Sequence, residues 1–68
     1  LIYYFVFYGT GEFPEFEAWA DTNGVKLLSI DPPRNGGNDI DVRASIPAGK
    51  LKAIKEQWPQ TGWFHKLD

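Results

Sequence analysis

The chain contains no cysteine and a single histidine. The first absence removes disulfide frameworks and thiolate metal sites, so packing alone must hold the fold and the redox compartment is not indicated. The second leaves His65 as the only imidazole, without a partner or nucleophile that the sequence specifies. Ser29 and Ser45 lie outside any Gly-x-Ser-x-Gly elbow. There is no excess of positive charge either. Seven Lys and Arg stand against nine Asp and Glu, giving a net charge of −2. A phosphate-backbone binder needs clustered cations to displace counterions, so nucleic acid is disfavoured as a partner.

Long apolar runs are also missing. The longest, Leu1 to Tyr8, falls far short of the roughly 20 residues a bilayer-spanning helix requires. No basic leader with a small-residue cleavage site precedes it, so no membrane association is expected and a cytoplasmic location is the default. Leu1 stands without an initiating methionine, which fits a processed chain, an excised domain or a chain with residues before it.

What is present belongs to a folding chain. Hydrophobic residues make up 43% and aromatics 16% of 68 residues, enough for one core but not two, so a single domain over 1–68 is expected. Acidic residues concentrate early, at Glu12, Glu15, Glu17 and Asp21, and lysines late, at Lys50, Lys52 and Lys55.

Residues 1–8 are β-branched, aromatic and apolar on both alternating sets, which predicts a first strand and leaves open which set faces the core. Gly9-Thr10-Gly11 breaks it. A helix should begin near Phe13, with Pro14 in the tolerant first turn, a buried stripe of Phe13, Phe16, Trp19 and Ala20, and a stop at Asn23-Gly24. Val25 to Ile30 reads as a second strand. Ile40, Val42, Ala44 and Ile46 alternate with polar residues, as in a strand buried on one face. The stretch from Asp31 to Asn38 is dense in turn formers, so a hairpin with an exposed tip should join these two strands. After Pro47, the spacing of Leu51, Ile54 and Trp58 predicts a second amphipathic helix. Pro59 ends it, Thr61-Gly62 turns the chain, and Trp63 to Leu67 forms a last strand whose mixed polarity suits an edge.

The order βαββαβ, with right-handed crossovers, predicts a ferredoxin-like α+β fold: a four-stranded antiparallel sheet with both helices on one face. The expected core is Phe5, Val6, Phe16, Trp19, Leu28, Ile30, Ile40, Val42, Ile46, Leu51, Ile54 and Trp58.

Motifs that would carry chemistry are incomplete. Glu15 and Glu17 point to different sides of a helix, and Asp39 and Asp41 beside Arg43 read as a partly neutralised, solvated row. Gly36-Gly37-Asn38-Asp39-Ile40-Asp41 is one copy of a calcium-binding pattern that works only in stacked repeats. No metal, cofactor or catalytic set is expected. The marks of specific βαββαβ families are missing too: the second aromatic motif of RNA-recognition modules, the loop arginine of acylphosphatases, the Cys-x-x-Cys of metallochaperones.

With aromatics in excess and no catalytic set, the leading expectation is a small non-enzymatic protein-binding domain, an inhibitor or accessory factor, using the open sheet face or an exposed edge. Tyr4, Tyr8, Arg34, Arg43, Trp63, Phe64 and His65 are its candidate contacts. Trp58 is weighed as a further anchor, although Trp19 and Trp58 are better placed in the core. The second expectation is a dimerising regulatory domain that binds a small ligand at Gly9, Thr10 and Gly11. Single-stranded nucleic acid binding comes third.

Overall fold

The computed structural model describes residues 1–33 and 37–68. Arg34, and with it the expected hairpin tip at 34–36, lies outside the described residues. The element order is β1 (Ile2–Tyr8), α1 (Phe13–Thr22), β2 (Lys26–Asp31), β3 (Asp39–Ser45), α2 (Lys50–Gln57) and β4 (Thr61–Lys66). The strands form one antiparallel sheet in the order β2-β3-β1-β4. This is the ferredoxin-like α+β arrangement that the sequence pattern predicts, with the two longest strands, β1 and β3, central.

Directly opposed residues of an antiparallel pair share a face, so the register resolves the ambiguity of β1. Tyr3, Phe5 and Phe7 lie opposite Ala44, Val42 and Ile40, and Phe5 and Phe7 meet the rings of α1. Phe16 is the hub of this layer. Fully buried, it lies 5.9 Å from Phe5, 5.1 Å from Phe7, 6.1 Å from Trp19 and 5.3 Å from Trp58 between ring centroids. Trp19 and Trp58 also meet edge to face at 6.2 Å, which links α1 to the end of α2. Each such aromatic contributes roughly 1.5–3 kcal/mol through burial.

Helix ends follow local chemistry. Thr10 accepts the Phe13 N–H at 3.3 Å, and Pro14 occupies the first turn of α1. At the other end Gly24 takes φ +72°, which lets the Val25 N–H return to the Ala20 carbonyl at 2.9 Å. Lys50 at the start of α2 donates to the Asn23 side chain at 3.0 Å.

Two expectations about the core are corrected. Leu28 is 47% and Ile30 41% exposed. The cause is a bulge: β2 advances from Leu27 to Ser29 while β3 advances only from Ala44 to Arg43, so Leu28 is the extra residue. Leu27 takes the inward position and packs on the core. Ile30, opposite Val42, is on the helix side but at the outer border of the sheet. The turn expected at Thr61-Gly62 is also corrected, because both residues already pair with β1, opposite Phe7 and Val6. No helix among the described residues is long and apolar enough to cross a membrane.

Candidate interaction face

The sheet face away from the helices is assembled from four strands in register. One line across it runs Gly62, Val6, Asp41, Asp31; the next runs His65, Tyr4, Arg43, Ser29. Tyr8 and Asp39 lie opposite each other at one end, Ile2 and Ser45 at the other. β1 therefore supplies a central row of Ile2, Tyr4, Val6 and Tyr8, flanked on the β3 side by charge.

That charge is organised around Tyr4. Its hydroxyl donates to Asp41 Oδ1 at 2.9 Å, and the Arg43 guanidinium lies 5.9 Å from its ring centroid. Arg43 in turn reaches Asp31 across the sheet at 3.9 Å. The hydrogen bond to Asp41, with desolvation behind it, holds the Tyr4 phenol above its ordinary value, and the nearby Arg43 charge opposes the shift. Asp39, Asp41 and Arg43 do form a solvated row, but the ion contact of Arg43 is to Asp31, while Asp41 accepts from Tyr4.

The β4 border differs. Between Tyr4 and Val6 of β1, β4 runs from His65 back to Gly62, one residue more than a regular ladder holds. Phe64 stacks on Phe5 at 4.9 Å, on the helix side of the sheet, and the Lys55 ammonium lies 5.2 Å from the Phe64 ring centroid. Trp63 is then the extra residue. Its φ is +57°, the only positive value at a non-glycine position among the described residues. It is 75% exposed, the largest exposure among the large hydrophobic residues described. A bulky side chain in this conformation costs roughly 1–2 kcal/mol, and so open a ring recovers little of that by burial.

The candidate residues thus separate. Tyr4, Tyr8, Arg43 and His65 are on the open face, Trp63 stands at its β4 border, and Phe64 is on the opposite side against the core. Trp58 packs with Phe7 and Phe16. Its Nε1 is shielded from solvent and, among the described residues, has no hydrogen-bond partner, as is the case for Ser29 Oγ.

The Gly9-Thr10-Gly11 loop is tied to its neighbours by two backbone bonds. Gly9 takes φ +89° and its N–H donates to the Asn38 carbonyl at 2.8 Å, while the Thr10 carbonyl holds Phe13. Glu12, which follows, accepts from Gln60 at 2.8 Å. Among the described residues there is no enclosed pocket and no group of three or more His, Cys, Asp or Glu placed to hold a metal ion.

Sequence reasoning missed the Tyr4–Asp41 and Arg43–Asp31 pairs and the backbone of Trp63. The first two depend on register, which periodicity does not supply. The third left a trace in Gly62, a glycine inside what proves to be a strand, where a bulge or a close approach is the usual cause. No family model matches the chain, and no curated protein or solved structure is significantly similar to it.

Proposed function

We propose that the chain is a protein-recognition module, non-enzymatic, that binds its partner with the β4 border of its open sheet face and uses Trp63 as the anchor. The observation that carries the reading is the combination at Trp63 of a strained backbone and a ring left three-quarters exposed. Such strain persists where something other than internal packing returns the energy, and interface anchors are enriched in tryptophan. His65 and Tyr4, opposed on the same face, and Tyr8 beside Gly62 would form the surround that excludes water. An inhibitor or accessory factor fits this design, because a single preformed aromatic peg needs no ligand cavity.

The test is comparative capture. Wild-type protein and Trp63→Ala are immobilised in parallel, and proteins retained by the first and lost by the second are measured against both in solution. Truncation of an anchor tryptophan is expected to weaken binding by at least about tenfold, equivalent to about 1.4 kcal/mol. Equal affinity of both forms for every retained protein would remove Trp63 from the function and the reading with it.

A further inference from the structure

We propose that β2 is a self-association edge, on which a second copy of the chain pairs antiparallel about a two-fold axis to form one continuous sheet. The strand ends the sheet order, and no described residue hydrogen-bonds its outer side. Its residues Lys26-Leu27-Leu28-Ser29-Ile30-Asp31 carry opposite charges at the two ends and apolar side chains between them.

Self-pairing about the strand centre would set Lys26 opposite Asp31 of the second copy, Leu27 opposite Ile30, and Leu28 opposite Ser29. In an unbroken strand this register is forbidden. Residues an odd number apart point to opposite faces, whereas opposed residues of a ladder must share one. The bulge at Leu28 removes the conflict. Lys26 and Asp31 both lie on the open face, opposite Ser45 and Asp41, and Leu27 and Ile30 both lie on the helix side, opposite Ala44 and Val42. The extra residue makes the edge complementary to itself in charge and in hydropathy at once.

Two local features gain from the pairing. Asp31 stands directly opposite Asp41, a like-charge pair that costs stability, and its Arg43 contact is long at 3.9 Å. Lys26 of the second copy would add a cation on that carboxylate. Leu28 and Ile30, 47% and 41% exposed, would be covered. The bulged residues meet at the axis, so the ladder is carried by the pairs on either side. An edge of this length buries less than the roughly 1,200 Å² of a stable interface, which places the dimer among weak associations. β2 and β4 are opposite borders of the sheet, so the outcome is independent of Trp63.

The decisive experiment is sedimentation velocity from about 10 μM to about 1 mM, which brackets the dissociation constants of weak associations. Wild-type protein should rise from the mass of one chain toward that of two. Lys26→Asp and Asp31→Lys should each remain at one chain, since each sets like charges against each other at both ends of the ladder. An equimolar mixture of the two should recover the dimer, because every opposed end pair is again of opposite sign. Recovery also shows that both variants fold. A wild type that stays at one chain throughout, variants that associate as the wild type does, or a mixture that fails to recover would each overturn the proposal.

Discussion

The ring of Tyr8 on β1 fills the space that a side chain at Gly62 on β4 would occupy. A Cβ built on Gly62 would lie 3.2 Å from Tyr8 Cε2 and 3.3 Å from its hydroxyl oxygen. The strand tolerates glycine there because a neighbouring aromatic covers the bare backbone, as in other sheets where a ring shields a strand glycine. Gly62→Ala is therefore expected to push the Tyr8 ring aside and to cost about 0.5–1 kcal/mol, the size of a contacting-pair coupling. In a Tyr8→Ala background the same change should be neutral or stabilising. Denaturant unfolding of the four proteins measures the coupling, and equal effects of Gly62→Ala in both backgrounds would contradict the contact.

At Trp63 stability and recognition should part company. Glycine adopts positive φ without steric cost, so Trp63→Gly is expected to raise unfolding stability by about 1 kcal/mol while removing the proposed anchor. Gains in stability that cost function are common at strained functional positions. Urea midpoints of the wild type and the variant, read by far-UV circular dichroism, decide the first half. A clear loss of stability would mean that the indole is held by internal contacts.

The Tyr4–Asp41 hydrogen bond predicts a titration. Because the folded phenol is held above its unfolded value near 10, its contribution to stability is complete below that value and is lost as pH rises through the folded pKa. Asp41→Asn removes the accepting carboxylate and its charge, and should move the Tyr4 titration downward. Ultraviolet difference titration of phenolate formation reads this directly. An unchanged tyrosine curve would deny the bond.

Phe16 should be the least replaceable residue of the core. Fully buried and ringed by Phe5, Phe7, Trp19 and Trp58, it should lose about 3–5 kcal/mol on change to alanine. That is much of the roughly 3–10 kcal/mol available to a chain of this size, so a thermal melt of Phe16→Ala should show a transition far below that of the wild type or none. Leu28→Thr, at an exposed bulge, should melt within about 0.5 kcal/mol of it.

The elements and their order were legible because periodicity and turn residues mark them strongly: the stripe of Phe13, Phe16, Trp19 and Ala20, the strict alternation of β3, Asn23-Gly24 closing α1. What escaped was whatever a single inserted residue can alter. In β2 the apolar run places Leu28 and Ile30 in the core, but no glycine or proline announces the bulge that turns Leu28 out, and the run does not reveal that Ile30 lies on the sheet's outer border. In β4 Gly62 read as a turn because strand glycines are rare, and only the position of the Tyr8 ring explains the exception. Of the candidate contacts, Tyr4, Tyr8, Arg43 and His65 share the open face through a register that the doubly apolar β1 leaves open in the sequence. The stacking of Phe64 on Phe5 was not legible either, since it follows from the reversal of side at the Trp63 bulge.

Ile2 and the Leu67–Asp68 segment lie side by side, held by two hydrogen bonds. Ile2 donates its N–H to the Asp68 side chain at 3.0 Å and accepts from the Leu67 N–H at 2.8 Å. A fold that departs and returns at one point occupies a host polypeptide as a loop would, leaving the flanking segments side by side. The same closure allows the order of elements to be rewritten: linking position 68 to position 1 and opening the chain between β2 and β3 should yield a circular permutant with the same sheet, its former ends now an ordinary connection between adjacent strands.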